Sequence, residues 1–230
     1  MMGMILRVVF GAFLAVAVFE LANRALEASP FWRVVPLVEV SVYETDPYTG
    51  YALRPNVFGV WETERRNIVT TNAFGLRSPV IALDKPDGVA RVGVFGDSIV
   101  EALQVELGDT FSALAERRLN ESCPGRIEVL NFGMSGATPA VQLERFRHKS
   151  AGLGLDRAVF FLNIGSFESH TMADDSSYPA YPSKGEGHVS LGHGFRDTWG
   201  YRLRTGPIGQ ALYVLLRDSR FASLINYRLN

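Results

Sequence analysis

The chain has a single cysteine, Cys123, among its 230 residues, so an intrachain disulfide is excluded. That cysteine lies in Glu121-Ser122-Cys123-Pro124-Gly125, which reads as a surface turn, and no histidine is near it in sequence. A thiol nucleophile needs such a neighbour to become thiolate, so Cys123 reads as structural. One cysteine does not decide the compartment, because many exported chains have none. A charge excess is also missing: 23 basic residues face 24 acidic ones, for a net charge of -1. Binding driven by phosphate neutralisation therefore has no support, and no nucleic-acid partner is expected. No internal repeat, low-complexity tract, phosphate-binding glycine loop or Cys/His cluster at metal-ligand spacing occurs. No cofactor and no metal are expected from this pattern.

What is present is an ordinary globular composition, 47% hydrophobic and 20% charged, sufficient for a core. Val8–Phe19 carries no charge, with Arg7 before it and Glu20 and Arg24 after it. Counted over Met1–Leu21, with Arg7 at one end, the segment reaches the roughly 20 residues a spanning helix needs. It reads as an uncleaved signal anchor, because Glu20 and Arg24 continue the helical pattern without a small-residue exit. The alternatives are a signal peptide cut near Ala15-Val16-Ala17, followed by export, and a buried soluble helix. Arg7 places the N-terminus in the cytoplasm by the positive-inside tendency, so the remainder faces the periplasm or exterior. Arg24 and Arg33 work against that orientation.

Residues 29–88 read as a linker and lead-in subdomain. Pro30, Pro36, Pro47, Pro55, Pro79 and Pro86 oppose long helices, and Leu37–Tyr43 and Asn67–Thr71 read as short extended pieces. Trp32, Trp61 and the tyrosines are expected to pack this segment against the main domain; the alternative is an aromatic ligand platform.

From Val89 the chain alternates strand and helix. Val92-Gly93-Val94-Phe95 reads as a buried strand, broken by Gly96-Asp97-Ser98 before a helix begins at Ile99. Such a corner puts Ser98 at the carboxyl end of a strand, where open α/β sheets bind ligands. The alternative is a plain turn whose serine caps the helix. Asp109 or Thr110 caps a helix in which Phe111, Leu114, Ala115 and Leu119 share a face. Ile127–Asn131 is a second strand, and Thr138-Pro139 starts a helix that Gly152 can end. Ala158–Ile164 is a nearly continuous apolar run, as in a parallel strand buried on both faces. Phe167–Tyr201 reads as a loop, either a lid or a surface excursion. Ile208, Ala211, Leu212 and Leu215 then mark one amphipathic helix. Phe221, Leu224 and Ile225 mark another, begun by Asp218 or Ser219.

Three strands, each ending in a Gly/Ser corner, resemble the SGNH (GDSL-type) hydrolase family. Gly96-Asp97-Ser98 matches its first block, Asn131 through Gly136 its second, and Gly165-Ser166-Phe167 stands where its third reads Gly-Asn-Asp. The lead-in Asp46–Asn56 and Thr71–Arg77 resemble membrane-anchored members. The resemblance implies Ser98 as nucleophile, with Ser98 N–H, Gly136 N–H and a third-block side chain stabilising the oxyanion. Ser166 takes the place of the family's asparagine there, with Asn163 as the alternative donor in a shifted register. The family's Asp-x-x-His base is absent from this sequence. His148, in Arg145-Phe146-Arg147-His148-Lys149, reads as part of a solvated helix face, and His188 and His193 as loop residues. His170, next after the third strand, is the substitute base.

The fold expected is α/β: a three-layer, flavodoxin-like sandwich on a parallel sheet, incomplete at its C-terminus, plus an N-terminal hydrophobic helix. The units are residues 1–28 (anchor or signal segment), 29–88 (lead-in) and 89–230 (hydrolase-like domain). The activity implied is acyl-ester hydrolysis on a lipid, glycan or small ester, weak or absent without its base. The alternatives are an O-acyltransferase of envelope polysaccharide and a non-catalytic envelope protein that keeps the fold. The membrane, through the N-terminal helix, is the only other partner expected, and the oligomeric state is left open.

Overall fold

The structure is a computed structural model that describes residues 2–27, 42–61, 63–163, 181–185, 188–216, 219 and 221. It is a mixed α/β chain with one parallel sheet and an apolar N-terminal helix, α1 (Met2–Glu27). Within α1, Gly3–Asn23 is long and apolar enough to cross a membrane. At 1.5 Å per residue it measures about 31 Å, matching a hydrocarbon core of about 30 Å. A signal sequence passes the same test of length and composition. The far end of α1 meets the C-terminal part of the chain. Glu20 Oε1 accepts from Ser219 Oγ and from Phe221 N (3.0 Å), and Phe19 packs edge-on against Phe221 at 6.1 Å.

The lead-in forms two antiparallel hairpins, β1 (Tyr43–Asp46) with β2 (Gly50–Leu53) and β3 (Phe58–Trp61) with β4 (Asn67–Thr70). Asp46 builds the first turn, its Oδ1 accepting from Tyr48 N, Thr49 N and Thr49 Oγ1 at 2.8–2.9 Å. A carboxylate that replaces a backbone acceptor in this way is what favours Asp at turns. Buried Val42, Leu53, Val57 and Val69 join Leu103 of the main domain in one apolar cluster, against which Tyr43 and Trp61 pack. Tyr43 and Trp61 thus pack where the lead-in meets the main domain, while Trp32 lies outside the described residues. Of the piece expected over Leu37–Tyr43, residues 37–41 lie outside the described residues.

The main sheet has the order β6-β5-β7, all parallel: β5 (Ala90–Phe95) in the centre, β6 (Ile127–Asn131) and β7 (Arg157–Phe160) beside it. Alternate residues face opposite sides. Val92, Val94, Ile127 and Val129 pack with Val100 on one side, and Phe95 and Leu130 with Leu76, Phe132 and Leu153 on the other. The free edge of β6 is closed by side chains. Val129 N donates to Glu116 Oε2 (2.7 Å), Ile127 N to Asn120 Oδ1 (3.1 Å) and Asn131 N to Ser78 Oγ (2.8 Å). Glu116 and Asn120 belong to α3 (Phe111–Ser122), capped by Thr110 as its sequence predicts. On α3, Phe111, Leu114 and Leu119 are nearly half exposed, while Glu116 and Asn120 make the hydrogen bonds to β6.

At the foot of the sheet the side chain of Arg91 is fully buried. Its Nε pairs with Glu128 Oε2 at 2.6 Å, and its other nitrogens donate to Leu83 O, Ala82 O and Leu153 O at 2.6–3.2 Å. Asp156 beside it accepts from Arg91 N (2.7 Å) and pairs with Lys85.

Three expectations need correction. The third strand is Arg157–Phe160 rather than Ala158–Ile164, and all four of its residues are exposed. Among the described residues it pairs with β5 alone and has no strand on its other side. Phe167–Tyr201 is not all loop: β8 (Tyr181–Gly185) pairs with β9 (His188–Gly192), and a 3-10 turn (Gly194–Asp197) leads into α5 (Trp199–Thr205). Backbone pairing and the Thr198 cap build these elements, and neither leaves apolar periodicity in sequence. The helix α4 (Pro139–Glu144), capped by Thr138, runs into a π turn (Arg145–Lys149) and stops there rather than at Gly152. The amphipathic pattern after Gly206 is helix α6 (Pro207–Leu216). The last expected helix lies mostly outside the described residues.

Candidate functional site

The carboxyl ends of β5 and β6 open into two loops that are bonded to each other. At the end of β5, Asp97 caps the single turn α2 (Ser98–Glu101), its carboxylate accepting from Ile99 N at 2.9 Å. Ser98 is the first residue of that turn and is exposed. Ala102 ends it in the left-handed region, φ 54°. At the end of β6, Asn131 donates through Nδ2 to Val100 O (2.7 Å) and accepts from Gly133 N (2.9 Å). Met134 N donates to Gly96 O (3.1 Å). The loops touch so closely at Gly133 that an added Cβ would lie 2.2 Å from Glu101 N, a distance no side chain can take. Gly136 follows at the surface with φ +70°, a conformation glycine adopts without steric cost.

Beneath these loops lies a buried polar cluster that sequence reasoning missed. Glu101 has no exposed surface. Its Oε2 accepts from Ser135 N (2.8 Å), Ser135 Oγ and Tyr43 Oη (2.9 Å). Tyr51 Oη donates to Ser135 O at 2.5 Å, and Tyr43 and Tyr51 meet edge-on at 5.5 Å. Burial raises the Glu101 carboxyl above the ordinary range, against the Ser135 and Tyr43 hydrogen bonds and Arg145, which lower it. Burial likewise raises the Tyr43 and Tyr51 phenols, and the Glu101 charge adds to this. Two buried guanidiniums flank the cluster. Arg145 donates from Nε to Phe132 O (2.8 Å), and burial lowers its pKa. Arg77 donates to Glu101 O (3.3 Å) and Val105 O, and burial lowers its pKa to about 10. A lone glutamate after Gly-Asp-Ser leaves no periodic signal. The one sequence hint is the tyrosine pair eight residues apart in a segment expected to pack inward.

Of the other predicted site residues, the described ones lie apart from the two joined loops. Ser166 and His170 lie outside the described residues. Asn163 is exposed beyond the end of β7. His148 stacks flat on Tyr48, ring centroids 3.5 Å apart, with Nε2 3.5 Å from Glu144 Oε2. It therefore belongs to a side-chain cluster rather than to a wholly solvated face. His193 Nε2 lies 2.9 Å from the same oxygen. His188 sits in β9 opposite Gly185. Neither His148 nor His193 is hydrogen-bonded to Ser98, and among the described residues no group of three His, Cys, Asp or Glu side chains is placed to hold a metal ion. A cavity of about 90 Å³ is lined by Tyr48, Glu144, His148 and Lys149 among others, and Ser98 is not among its walls.

No protein-family model matches the chain, and no curated protein matches it. Among solved structures it is similar to the crystal structure of AlinE4, an SGNH-hydrolase family esterase. The identity is 23%, covering 40% of this chain and 50% of that chain, with a TM-score of 0.31. An aspartate-to-alanine mutant of the same esterase gives the same identity and coverage with a TM-score of 0.32. The chain thus spans about half the length of that esterase.

Proposed function

We propose that this chain is a serine esterase of the SGNH type, acting on acyl esters through Ser98 and held at a membrane by α1. The observation that carries the reading is the joined pair of loops. An exposed serine begins the turn that follows the central strand, and the neighbouring strand leads into a turn with an exposed glycine, in the motif order the sequence resembles. In this reading Ser98 Oγ attacks the acyl carbonyl, the Ser98 and Gly136 N–H groups receive the oxyanion, and Ser166 supplies a third donor. Water then releases the acyl group. Each such donor is worth about 3 kcal/mol of transition-state stabilisation.

Ser98 Oγ makes no hydrogen bond among the described residues, and a hydroxyl without a base stays protonated and weakly nucleophilic. The esterase is accordingly slow: oxyanion stabilisation and binding alone sustain roughly 10³–10⁴-fold over water. Incubating the full chain with a chromogenic acetyl ester tests this, with and without a polysaccharide acceptor. Slow hydrolysis, abolished by Ser98→Ala, is expected. Acceptor-dependent turnover would identify an acyltransferase instead, and no Ser98-dependent turnover in either arm a non-catalytic protein. His170→Ala decides whether a substitute base operates: an unchanged rate is expected for a chain without one, and a loss of rate would assign the base to His170.

A further inference from the structure

We infer that Tyr51, with Glu101, is a positioning residue that aims the Gly136 N–H of the oxyanion pair. The lead-in hairpin is thereby part of the active site. This rests on the serine-esterase reading for its functional meaning, and on geometry for its structure.

The peptide between Ser135 and Gly136 is one plane, and in a trans peptide the C=O and the N–H point in opposite directions. No peptide bond among the described residues is cis. Fixing Ser135 O therefore fixes the direction of Gly136 N–H. Tyr51 Oη holds that oxygen at 2.5 Å, from a strand 84 residues earlier. It also stands over Gly136 itself, 3.0 Å from where a Cβ would be. The preceding peptide is pinned too, since Ser135 N donates to Glu101 Oε2 at 2.8 Å. Glu101 lies three residues after Ser98 in the same helical turn, so the carboxylate that holds one half of the oxyanion pair is carried by the turn that begins with the other. Tyr43 Oη, donating to the same oxygen at 2.9 Å, keeps the carboxylate in place.

A turn with glycine at positive φ has a second arrangement within reach. Rotating the Ser135–Gly136 peptide would send the N–H inward and the carbonyl outward, putting negative charge where the oxyanion forms. Tyr51 and Glu101 hold the turn against that rotation. Neither touches the acyl group, so their contribution belongs to the rate of attack and not to substrate affinity.

The test uses the full chain in detergent micelles, as wild type, Tyr51→Phe and Glu101→Gln. Two quantities are measured: the Gly136 amide resonance in ¹⁵N-labelled protein, and the rate at which a fluorophosphonate probe labels Ser98. Tyr51→Phe is expected to move the Gly136 resonance and to slow labelling by about tenfold or more, with the concentration for half-maximal rate unchanged. Glu101→Gln keeps the size of the side chain and is expected to have the smaller effect on both. An unmoved Gly136 resonance in Tyr51→Phe would overturn the inference, as would a labelling loss that appears wholly as weaker probe affinity. If the wild type is never labelled at Ser98, the esterase reading fails, while the Gly136 resonance still decides whether Tyr51 sets the turn.

Discussion

Glu101 is an acid whose folded-state pKa is raised, chiefly by burial, above its value in the unfolded chain. The folded protein therefore holds a proton that the unfolded chain has given up, and stability falls as pH rises across that interval. The stabilisation is fully present below the ordinary value of 4.5 and is lost as pH climbs through the raised one. The thermal midpoint of the wild type is expected to decline more steeply above that value than that of Glu101→Gln, read by calorimetry across a pH series. Parallel curves would show that the site does not titrate in this way. Arg91 carries the complementary lesson about buried charge. Arg91→Met removes a cation bonded to Glu128 and three carbonyls, leaving those acceptors without partners. Breaking a buried pair of this kind costs roughly 3–5 kcal/mol, to be read from urea midpoints. Neither residue announces itself in sequence, because the partners of each come from segments far apart in the chain, and only Gly-Asp-Ser and the Asn131–Gly136 turn have a local pattern.

Elements were legible where one residue's chemistry decides them. Thr110 and Thr138 cap α3 and α4 as their sequences predict, with Ala113 N and Val141 N each donating to the threonine oxygen at 3.3 Å. Thr138→Ala is expected to cost about 1 kcal/mol, measured by urea denaturation. The strands β5 and β6 were legible because their alternating residues divide between two apolar faces. What failed was environment. The run from Ala158 reads as doubly buried, yet the described strand is an edge, with Val159 and Phe160 about 40% exposed. Apolar composition reports what a strand can bury and is silent about whether a neighbour arrives. The hairpin β8–β9 failed for the opposite reason, since backbone pairing needs no apolar alternation.

At the scale of the whole molecule, α1 sets the prediction. Full-length protein should sediment with membranes and resist extraction by high salt, while deletion of residues 1–24 should release the rest. Recovery of intact full-length chain in the soluble fraction would count against an anchor. Composition along the chain reads as an apolar helix, a proline-rich lead-in and an alternating stretch. The contacts that join the lead-in to the sheet were not readable, because they run between residues far apart in sequence, such as Asn67 Nδ2 to Leu103 O at 2.8 Å.

The grip of Tyr51 on Ser135 spans 84 residues, and that separation gives the molecule an order of assembly. A chain made from its N-terminus contains both strands of the β1–β2 hairpin long before the turn that they will hold exists. Tyr51 is then without the carbonyl it meets while the central strand and Ser98 are added. Only when the Asn131–Gly136 segment follows can both sides close. A ribosome stalled between Ser98 and Asn131 leaves a nascent chain that holds the serine and lacks the turn Tyr51 grips, with Ser166 and His170 to be made later still.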